Sequence, residues 1–400
     1  MLDIVGGSYY EYCWEPQWDE LFGSGLRAAI SLSQRSLPLR LYTYGDARTS
    51  RILETIGSHL GFETIITIID RTAEFDYRHP LAEPEIVPSI QNNVRKGNII
   101  LEHAEKVLCF GMLEGNAVVY GKKVVYDPQA PGNPTSFWKN GSTADELVMV
   151  LNFREACALT GLSRTDDIIS SLFDNERLNG LVIKMGPDGA VAINSDRKTT
   201  IIPVFRTDKV WTIGSGDIFT SQFAYNYLVG GMPIEESSLK ASLATAWYSQ
   251  HNTLPIPELQ DDWNPRALKR IRHDQKKVYI AGPFFTMAER WLVNEFRTVL
   301  INMGVTVFSP LHDVGIGDHI DVAKPDLEGL VASDIILAIL NNLDSGTLFE
   351  VGYARALNKP VIGFSENATR ESLTMLYGTD CRISNDFTTV IYQVIWELMG

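Results

Sequence analysis

The stretch "DIILAILNNLDSGTLFEVGYARALNKPVIGF", residues 334–364, reads in order as a strand, a loop, a helix and a second strand. Strands that alternate with helices are typical of a mostly parallel sheet with helices on its faces. Ligands of such sheets bind beyond the carboxyl ends of the strands. Asp344, in the loop, and Glu350, at the start of the helix, therefore lie where the sequence predicts a site.

Two interpretations of Glu350 compete. Thr347-x-x-Glu350 fits the capping box, in which a threonine and a glutamate three residues later cap each other's free backbone N–H groups. A glutamate folded back in that way cannot also point at a substrate, so the two interpretations are partly in competition. We favour a catalytic glutamate within hydrogen-bond reach of Tyr279, with the helix capped by Ser345 or Thr347 alone.

The chain upstream of Glu350 supplies the other groups that cleavage of an N-glycosidic bond needs. A carboxylate beneath the anomeric carbon stabilises the oxocarbenium-like state or captures it as an ester, while a second acid protonates the leaving base. A tyrosine hydroxyl can hold the nucleophile by hydrogen bonding. The candidates are Glu350, with Asp344, Asp326 and Tyr279 around it, and the loop residues Gly282, Pro283 and Phe284 as substrate contacts.

These elements resemble the nucleoside 2-deoxyribosyltransferase family, from "VYIAGPFF" through "GVTVFSP" to "D-S-G-T-x-x-E-x-G-Y-A-x-A-L-x-K-P", over about residues 276–365. The resemblance implies a nucleophilic Glu350, sugar- or base-binding roles for the two aspartates, and an orienting role for Tyr279. It also implies no cofactor for this site, and a homo-oligomer in which a C-terminal segment of one subunit completes the next subunit's site. Hydrolysis and transfer both stay open, because residues 366–380 lack the expected Asn-x-Met arrangement.

The stretch "VWTIGSGDIFTSQFAYNYLVGG", residues 210–231, places two glycines and an aspartate directly before a long helix. Glycines at a helix start let backbone N–H groups converge, and the helix dipole adds positive potential, so the turn predicts an anion site. Asp217 would accept the proton of a hydroxyl group that attacks a bound phosphate. The alternative is that Asp217 only caps the helix.

Together with "GSGLRAAISLSQRSLPLRLYTYGD", "LNFREACALTG" and "VIKMGPDGAVAI", this stretch resembles the ribokinase-like (PfkB) sugar and nucleoside kinases over most of residues 1–255. The resemblance implies that Asp217 is the general base and that ATP and Mg²⁺ are cofactors, held by Gly214, Ser215, Gly216, Asn152 and Glu155, with Glu155 acting on Mg²⁺ indirectly. Residues 75–91 fall where the family's lid forms. The family's aspartate near the first strand is missing after Asp3, and Glu11 is only a weak candidate to replace it, so an active kinase and a nucleotide-binding module both stay open.

Composition and charge exclude several classes of protein. A formal net charge of −14 is unfavourable for direct binding to nucleic acid, because such binding relies on basic patches. No apolar run reaches the length of a membrane span, and the start shows no signal peptide. The four cysteines are widely spread without a C-x-x-C motif, which is typical of reduced thiols in the cytoplasm. The expected partners are small nucleoside or nucleotide substrates.

The 400 residues are expected to form two α/β domains. We predict a ribokinase-like α/β/α domain at residues 1–260, a linker at 261–275, and a smaller Rossmann- or flavodoxin-like parallel-sheet domain at 276–400. The predicted function is cleavage or transfer of nucleoside or nucleotide N-glycosidic bonds by an enzyme that also carries a kinase-like domain. The alternative is an effector that depletes a nucleotide or NAD, for instance in antiviral defence, with the kinase-like domain as a regulatory or partner-binding module.

Overall fold

The computed structural model describes residues 1–89, 97–129, 134–259, 263–269 and 275–400. The chain divides into two compact units, Met1–Ala267 (unit 1) and Leu268–Gly400 (unit 2). Residues 261, 262 and 270–274 of the predicted linker lie outside the described residues, as do residues 90 and 91 of the predicted lid segment. Within the described ranges, no helix combines the length and apolar character that crossing a membrane requires.

The strands of unit 1 form one large sheet and smaller ones. In chain order they are β1 (Leu2–Val5), β2 (Tyr10–Cys13), β3 (Trp18–Leu21), β4 (Leu39–Gly45), β5 (Glu63–Ile68), β6 (Glu74–Tyr77), β7 (Glu85–Val87), β8 (Ile99–Phe110), β9 (Ala117–Asp127), β10 (Thr143–Asn152), β11 (Gly180–Lys184), β12 (Ala190–Ile193), β13 (Thr199–Ile202) and β14 (Val204–Phe205), with β15 (Ala267–Leu268) at the boundary. The large sheet has nine strands in the order β13-β12-β11-β10-β9-β8-β1-β4-β5. Its pairs are parallel, except that β12 is antiparallel to both β11 and β13.

Helices cover both faces of the large sheet. They are α1 (Gly23–Leu32), α2 (Ala47–Leu60), α3 (Phe153–Thr160), α4 (Thr165–Glu176), α5 (Ser215–Ala224), which continues into a π-helical turn at Tyr225–Val229, and α6 (Ile234–His251). One core cluster packs α1, α5 and α6 against the sheet, and another packs α3 and α4. Because both faces are covered, inner strands are continuous buried apolar runs, such as residues 147–151.

The small sheet of unit 1 contains part of the segment predicted to form a lid. Its strand order is β3-β2-β6-β7, and β6 and β7 fall largely within residues 75–91. The ring of Phe75 on β6 lies 5.0 Å from that of Tyr9, just before β2, and 6.5 Å from that of Tyr77. The small sheet therefore presents a row of aromatic rings.

Unit 2 is an all-parallel five-stranded sheet with helices. Its strands, in the order β17-β16-β18-β19-β20, are β16 (Lys277–Ala281), β17 (Thr306–Phe308), β18 (Ile335–Ile339), β19 (Val361–Phe364) and β20 (Arg382–Ser384). Its helices are α7 (Met287–Asn302), α8 (His319–Val331), α9 (Ser345–Ala356), α10 (Thr374–Tyr377) and α11 (Phe387–Met399). The strand order reverses at β16, so the carboxyl ends of β16 and β18 border the crevice where such sheets bind ligands. The predicted α/β class is confirmed for both units.

Candidate functional site

Glu350 and Tyr279 meet at the carboxyl end of the unit 2 sheet. Tyr279, in β16, is fully buried, and its ring stacks on Phe308 at a centroid distance of 5.5 Å. Its hydroxyl group donates a hydrogen bond of 2.5 Å to Oε1 of Glu350, which lies in the second turn of α9. The carboxylate is therefore turned toward the sheet and away from the backbone of its own helix start, as we expected.

The start of α9 is capped by a residue that the sequence analysis did not choose. Oδ2 of Asp344 accepts hydrogen bonds from the backbone N–H of Thr347 at 2.8 Å and from its hydroxyl group at 3.1 Å. The expectation that Ser345 or Thr347 would cap the helix alone was wrong. Asp344 immediately precedes the helix, and its carboxylate lies close enough to accept the hydrogen bond from the backbone N–H of Thr347. This cap leaves Glu350 free of any capping role.

Burial raises the pKa of two carboxylates of this site, those of Glu350 and Asp326. Burial, reinforced by the charges of Asp326 and Asp344, raises the pKa of Glu350 to about 7, although the Tyr279 hydrogen bond opposes the shift. Burial also raises the pKa of Asp326, whose Oδ1 has no hydrogen-bond partner among the described residues. None of the ion pairs in the described ranges involves Glu350, Asp326 or Asp344. The site is therefore a group of acids without a cationic partner.

The loop after β16 packs closely against the neighbouring strand. A Cβ atom on Gly282 would lie 3.0 Å from Cβ of Ile339, so this position has little room for a side chain. Pro283 is buried and Phe284 is half-buried. The backbone carbonyl of Phe284 accepts a hydrogen bond of 2.8 Å from Nε of Arg290, so this arginine is used to hold the loop.

Asp217, in the first turn of α5, is held by two side chains from distant parts of unit 1. Its Oδ2 accepts a 2.8 Å hydrogen bond from Nη1 of Arg27, and its Oδ1 accepts a 2.7 Å bond from Nε2 of Gln129. Arg27, from α1, also forms a two-point ion pair with Glu11. Both carboxylates are buried, and both form ion pairs with the same guanidinium group. Asp217 is thus not a simple helix cap.

Gly214 is required where the turn meets Arg27. Its φ of +74° is a left-handed conformation that favours glycine. A Cβ atom there would also lie 2.1 Å from Nε of Arg27, so the guanidinium packs directly on the turn. The residues that follow, Ser215 and Gly216, begin α5 and leave their backbone N–H groups at a helix N-terminus.

Asn152 and Glu155 bind each other at the start of α3. The Asn152 side chain accepts a hydrogen bond of 2.9 Å from the Glu155 backbone N–H, and the Glu155 carboxylate accepts one of 2.8 Å from that of Asn152. The pair is a complete capping box. Burial and the charge of Asp127 raise the pKa of Glu155 to about 7, with Lys184 opposing the shift.

These unit 1 residues line one cleft of about 1040 Å³ between the large sheet and the small one. Its lining includes Gly214, Gly216, Asp217, Asn152, Glu155, Glu11, Arg27, Gln129, Tyr9, Phe75 and Tyr77. In the described part of the chain, no group of three or more His, Cys, Asp or Glu residues is arranged to hold a metal ion. A Mg²⁺ ion in this cleft would take much of its coordination from bound phosphate, as this ion commonly does.

The sequence analysis missed the partners of the predicted residues. These partners are Arg27 in α1, Asp127 at the end of β9, Gln129 in the loop after β9 and Lys184 in β11, and their contacts span 36 to 190 residues of chain. Two of them carried a local signal, since a charged residue on an otherwise apolar helix or strand needs a buried partner. Arg27 in "LRAAISL" and Lys184 in "LVIKMG" are such residues.

Two segments of the chain match known protein families. Residues 143–256 match the pfkB family carbohydrate kinase, and residues 278–385 match the nucleoside 2-deoxyribosyltransferase. An uncharacterized protein of Ureaplasma parvum serovar 3 is 31% identical over 99 residues, which cover 21% of this chain and 63% of that protein. The alignment thus spans less than two thirds of that relative.

Solved structures of kinases are also similar to this chain. A fructokinase of Vibrio cholerae O395, with fructose, ADP and calcium ion bound, is 12% identical with a TM-score of 0.49, covering 63% of this chain and 94% of its own. The nucleoside kinase of Methanocaldococcus jannaschii, an archaeal member of the ribokinase family, is 15% identical with a TM-score of 0.45, covering 64% and 95%. The two resemblances seen in the sequence are confirmed by the family matches: one segment of the chain matches the pfkB carbohydrate kinases and a later segment matches the nucleoside 2-deoxyribosyltransferases.

Proposed function

We propose that unit 2 cleaves the N-glycosidic bond of a nucleoside or nucleotide and passes the sugar to water or to another base. The observation that carries this proposal is the 2.5 Å hydrogen bond between Tyr279 and Glu350, at the sheet end where ligands bind. It aims a half-buried carboxylate away from its helix and into the site. The match of residues 278–385 to the deoxyribosyltransferase family supports the same chemistry.

The proposed reaction has two steps. Glu350 attacks the anomeric carbon, the bond from that carbon to the base nitrogen breaks, and the departing nitrogen takes a proton from Asp326. Water or a second base then attacks the same carbon, the ester bond breaks, and the proton of the attacking group goes to Asp326. The raised pKa of Asp326 favours its protonated form before the first step. Tyr279 holds the nucleophile in place, and Asp344 holds the helix start and is proposed to contact the sugar.

A chromatographic screen tests this proposal. Purified protein is incubated with nucleosides, nucleoside monophosphates, deoxynucleotides and NAD, and free base is quantified. Release of base from at least one compound is expected, and Glu350→Gln should reduce its rate about 10³-fold or more, because the nucleophile is lost. The matched control is Glu366→Gln, an exposed glutamate of unit 2. No release from the whole panel, or equal release by Glu350→Gln, contradicts the proposal.

We also propose that unit 1 binds a phosphate donor, ATP with Mg²⁺, in its cleft, with Asp217 as the base of a phosphoryl transfer. The pfkB match and the helix N-terminus at Gly214–Asp217 support this. A second candidate is a ligand-binding module that regulates unit 2, since Arg27 and Gln129 engage both oxygens of Asp217. If the protein forms ADP and Asp217→Asn abolishes this activity, unit 1 is a kinase. If ATP changes the rate of base release without being consumed, unit 1 is a regulatory module.

Assembly and location belong to the same proposal. Phe349, next to the nucleophile in sequence, is 61% exposed and stacks on Tyr353, which suits a surface that another subunit covers. We propose a homo-oligomer, to be checked by light scattering at several concentrations. A strictly monomeric protein that still releases base would contradict it. A cytoplasmic location is proposed from the wide spread of the four cysteines along the chain, without a C-x-x-C motif.

A further inference from the structure

The acids of the unit 2 site are held by neutral donors. Glu350 accepts its hydrogen bond from the hydroxyl group of Tyr279. Asp344 accepts from the backbone N–H and the hydroxyl group of Thr347. Oδ1 of Asp326 has no hydrogen-bond partner in the part of the chain that the structure describes. Negative charge on these acids is therefore left without a compensating cation from the described residues.

The arginines of the neighbouring helix are directed elsewhere. Arg290, in the first turn of α7, donates from Nε to the backbone carbonyl of Phe284 at 2.8 Å and from Nη2 to that of Phe285 at 3.4 Å. Burial, and then the charge of Arg297, lower the pKa of His312, so that this imidazole is mostly neutral at pH 7. Neither arginine is among the groups that act on the nucleophile. The site thus offers a substrate negative charge and little positive charge.

The start of α7, which follows the loop after β16, is occupied by a carboxylate of the chain itself. Glu289 accepts hydrogen bonds from the backbone N–H groups of Phe285 at 2.9 Å and of Thr286 at 2.8 Å. Backbone N–H groups at a helix start are a common binding site for phosphate. A phosphate group of a substrate would have to displace Glu289 here and would then meet its negative charge.

Aromatic rings flank the same end of the sheet. Phe284 and Phe285, in the loop after β16, have their ring centroids 5.5 Å apart, and Phe285 is 69% exposed. The ring of Tyr279 stacks on that of Phe308. A flat ring that carries a positive charge is attracted both by aromatic faces and by carboxylates. An uncharged ring gains only the stacking, and an anionic ring is repelled by the acids.

We propose that unit 2 selects its substrate by charge: it cleaves a nucleoside that has no phosphate group and whose base is positively charged, as in a pyridinium or an N-alkylated purine. The inference rests on the glycosidic-bond cleavage proposed above and names its substrate class. When Glu350 attacks the anomeric carbon, the ring nitrogen keeps the electron pair of the broken bond, so the base leaves without positive charge on that ring. This departure needs no proton. Asp326 then acts in the second step alone, where it takes the proton of the attacking water as the ester bond breaks.

Base release by the full-length protein from matched compounds tests the inference. Nicotinamide riboside is compared with nicotinic acid riboside, which adds a carboxylate to the ring, and with nicotinamide mononucleotide, which adds a 5′-phosphate. N7-methylguanosine is compared with guanosine, whose base is neutral. Each kcat/KM is divided by the rate of spontaneous hydrolysis of the same compound, so that the lability of the bond cancels. Nicotinamide riboside and N7-methylguanosine should exceed their partners about tenfold or more, because charge decides the interaction with the acids.

A variant at the start of α7 tests the exclusion of phosphate. In Glu289→Gln an amide oxygen can still accept both backbone hydrogen bonds, but the negative charge is lost. The quotient for nicotinamide mononucleotide should therefore rise several-fold relative to that for nicotinamide riboside. Glu371→Gln, at an exposed glutamate between β19 and β20, is the matched control and should leave this ratio unchanged.

The possible outcomes separate this inference from the function on which it rests. Base release in which guanosine, nicotinic acid riboside or the mononucleotide matches its cationic partner overturns the selection by charge and leaves the proposed cleavage intact. An unchanged ratio in Glu289→Gln overturns the exclusion of phosphate by α7. If no compound releases base, the proposed cleavage itself is contradicted, and the inference falls with it.

Discussion

Near the starts of α3 and α9 a polar residue is followed three positions later by a glutamate, and these two glutamates behave differently. At α3, Asn152 and Glu155 close a complete capping box. At α9, Thr347 and Glu350 have the same spacing, but Asp344 takes the backbone N–H of Thr347. Glu350 is then available to Tyr279.

The difference teaches that spacing alone does not decide what such a glutamate does. Burial is the first cause that raises the pKa of Glu155 and of Glu350 to about 7, so affinity for protons does not separate them either. The two glutamates differ in their hydrogen-bond partner. The carboxylate of Glu155 accepts from the backbone N–H of Asn152, whereas that of Glu350 accepts from the hydroxyl group of Tyr279. A second cap before the helix is what releases a glutamate for chemistry.

The largest expected effect concerns the stability of unit 2. The pKa of Glu350 rises from its usual 4.5 to about 7 on folding, so the folded state binds more protons between these values and stability falls as pH rises through them. Glu350→Gln cannot ionise, and it should raise the free energy of unfolding by about 2 kcal/mol at pH 8. Urea unfolding followed by hydrogen exchange in β18 measures this change. At pH 4 the two proteins should have the same free energy of unfolding. A difference that does not change with pH would mean that the ionisation of Glu350 is not its cause.

The next effect concerns the hydrogen bond from Tyr279. Tyr279→Phe should slow base release about tenfold, because it removes a hydrogen bond to a charged group. Glu350 must be ionised to attack, so the wild-type rate should rise with pH around 7. Since the Tyr279 hydrogen bond lowers the pKa of Glu350, its loss should move that midpoint to higher pH. The control is Tyr353→Phe, in the helix that carries Glu350. An unchanged midpoint in Tyr279→Phe would mean that the ionisation of Glu350 does not cause the pH dependence of the rate.

The smallest effects concern the two caps. Asn152→Ala and Asp344→Ala should each lower the free energy of unfolding of their unit by about 1 kcal/mol, which is typical of a lost N-cap. Asp344→Asn should keep most of that stability, because an amide oxygen can accept the same hydrogen bond. Thermal unfolding of the four proteins, wild type included, measures the differences. If Asp344→Ala were as stable as the wild type, Thr347 and Glu350 would be able to form the capping box themselves.

The parts of the molecule that could be predicted from the sequence are those with local patterns. The strand at Ile335–Ile339, the helix at Ser345–Ala356 and the strand at Val361–Phe364 follow from apolar runs, a glycine-containing turn and a proline. The approach of Tyr279 to Glu350 follows from the rule that parallel strands end at one edge of a sheet. These features depend on a few neighbouring residues at a time.

The rest depends on contacts between distant parts of the chain. Arg27 and Asp217 are 190 residues apart, and Asp127 and Lys184 are 57 apart. Such pairs form only when the strand order is fixed, and one sequence does not show which buried charges will meet. The spacing of Asn152 and Glu155 was also ambiguous, because N-x-x-E fits a capping box as well as a ligand site. The small sheet escaped notice for a similar reason, since β6 and β7 are short and lie among prolines.

The contact between Gly214 and Arg27 has a consequence for how unit 1 can change over evolutionary time. No side chain fits at position 214 while Arg27 lies against it. Replacing Arg27 first would leave Glu11 and Asp217 buried without their cation, a change that typically costs about 3–5 kcal/mol. Single substitutions at Gly214 and at Arg27 are therefore both unfavourable, whichever comes first. A lineage that loses this turn must pass through compensating changes at the carboxylates before the glycine itself can vary.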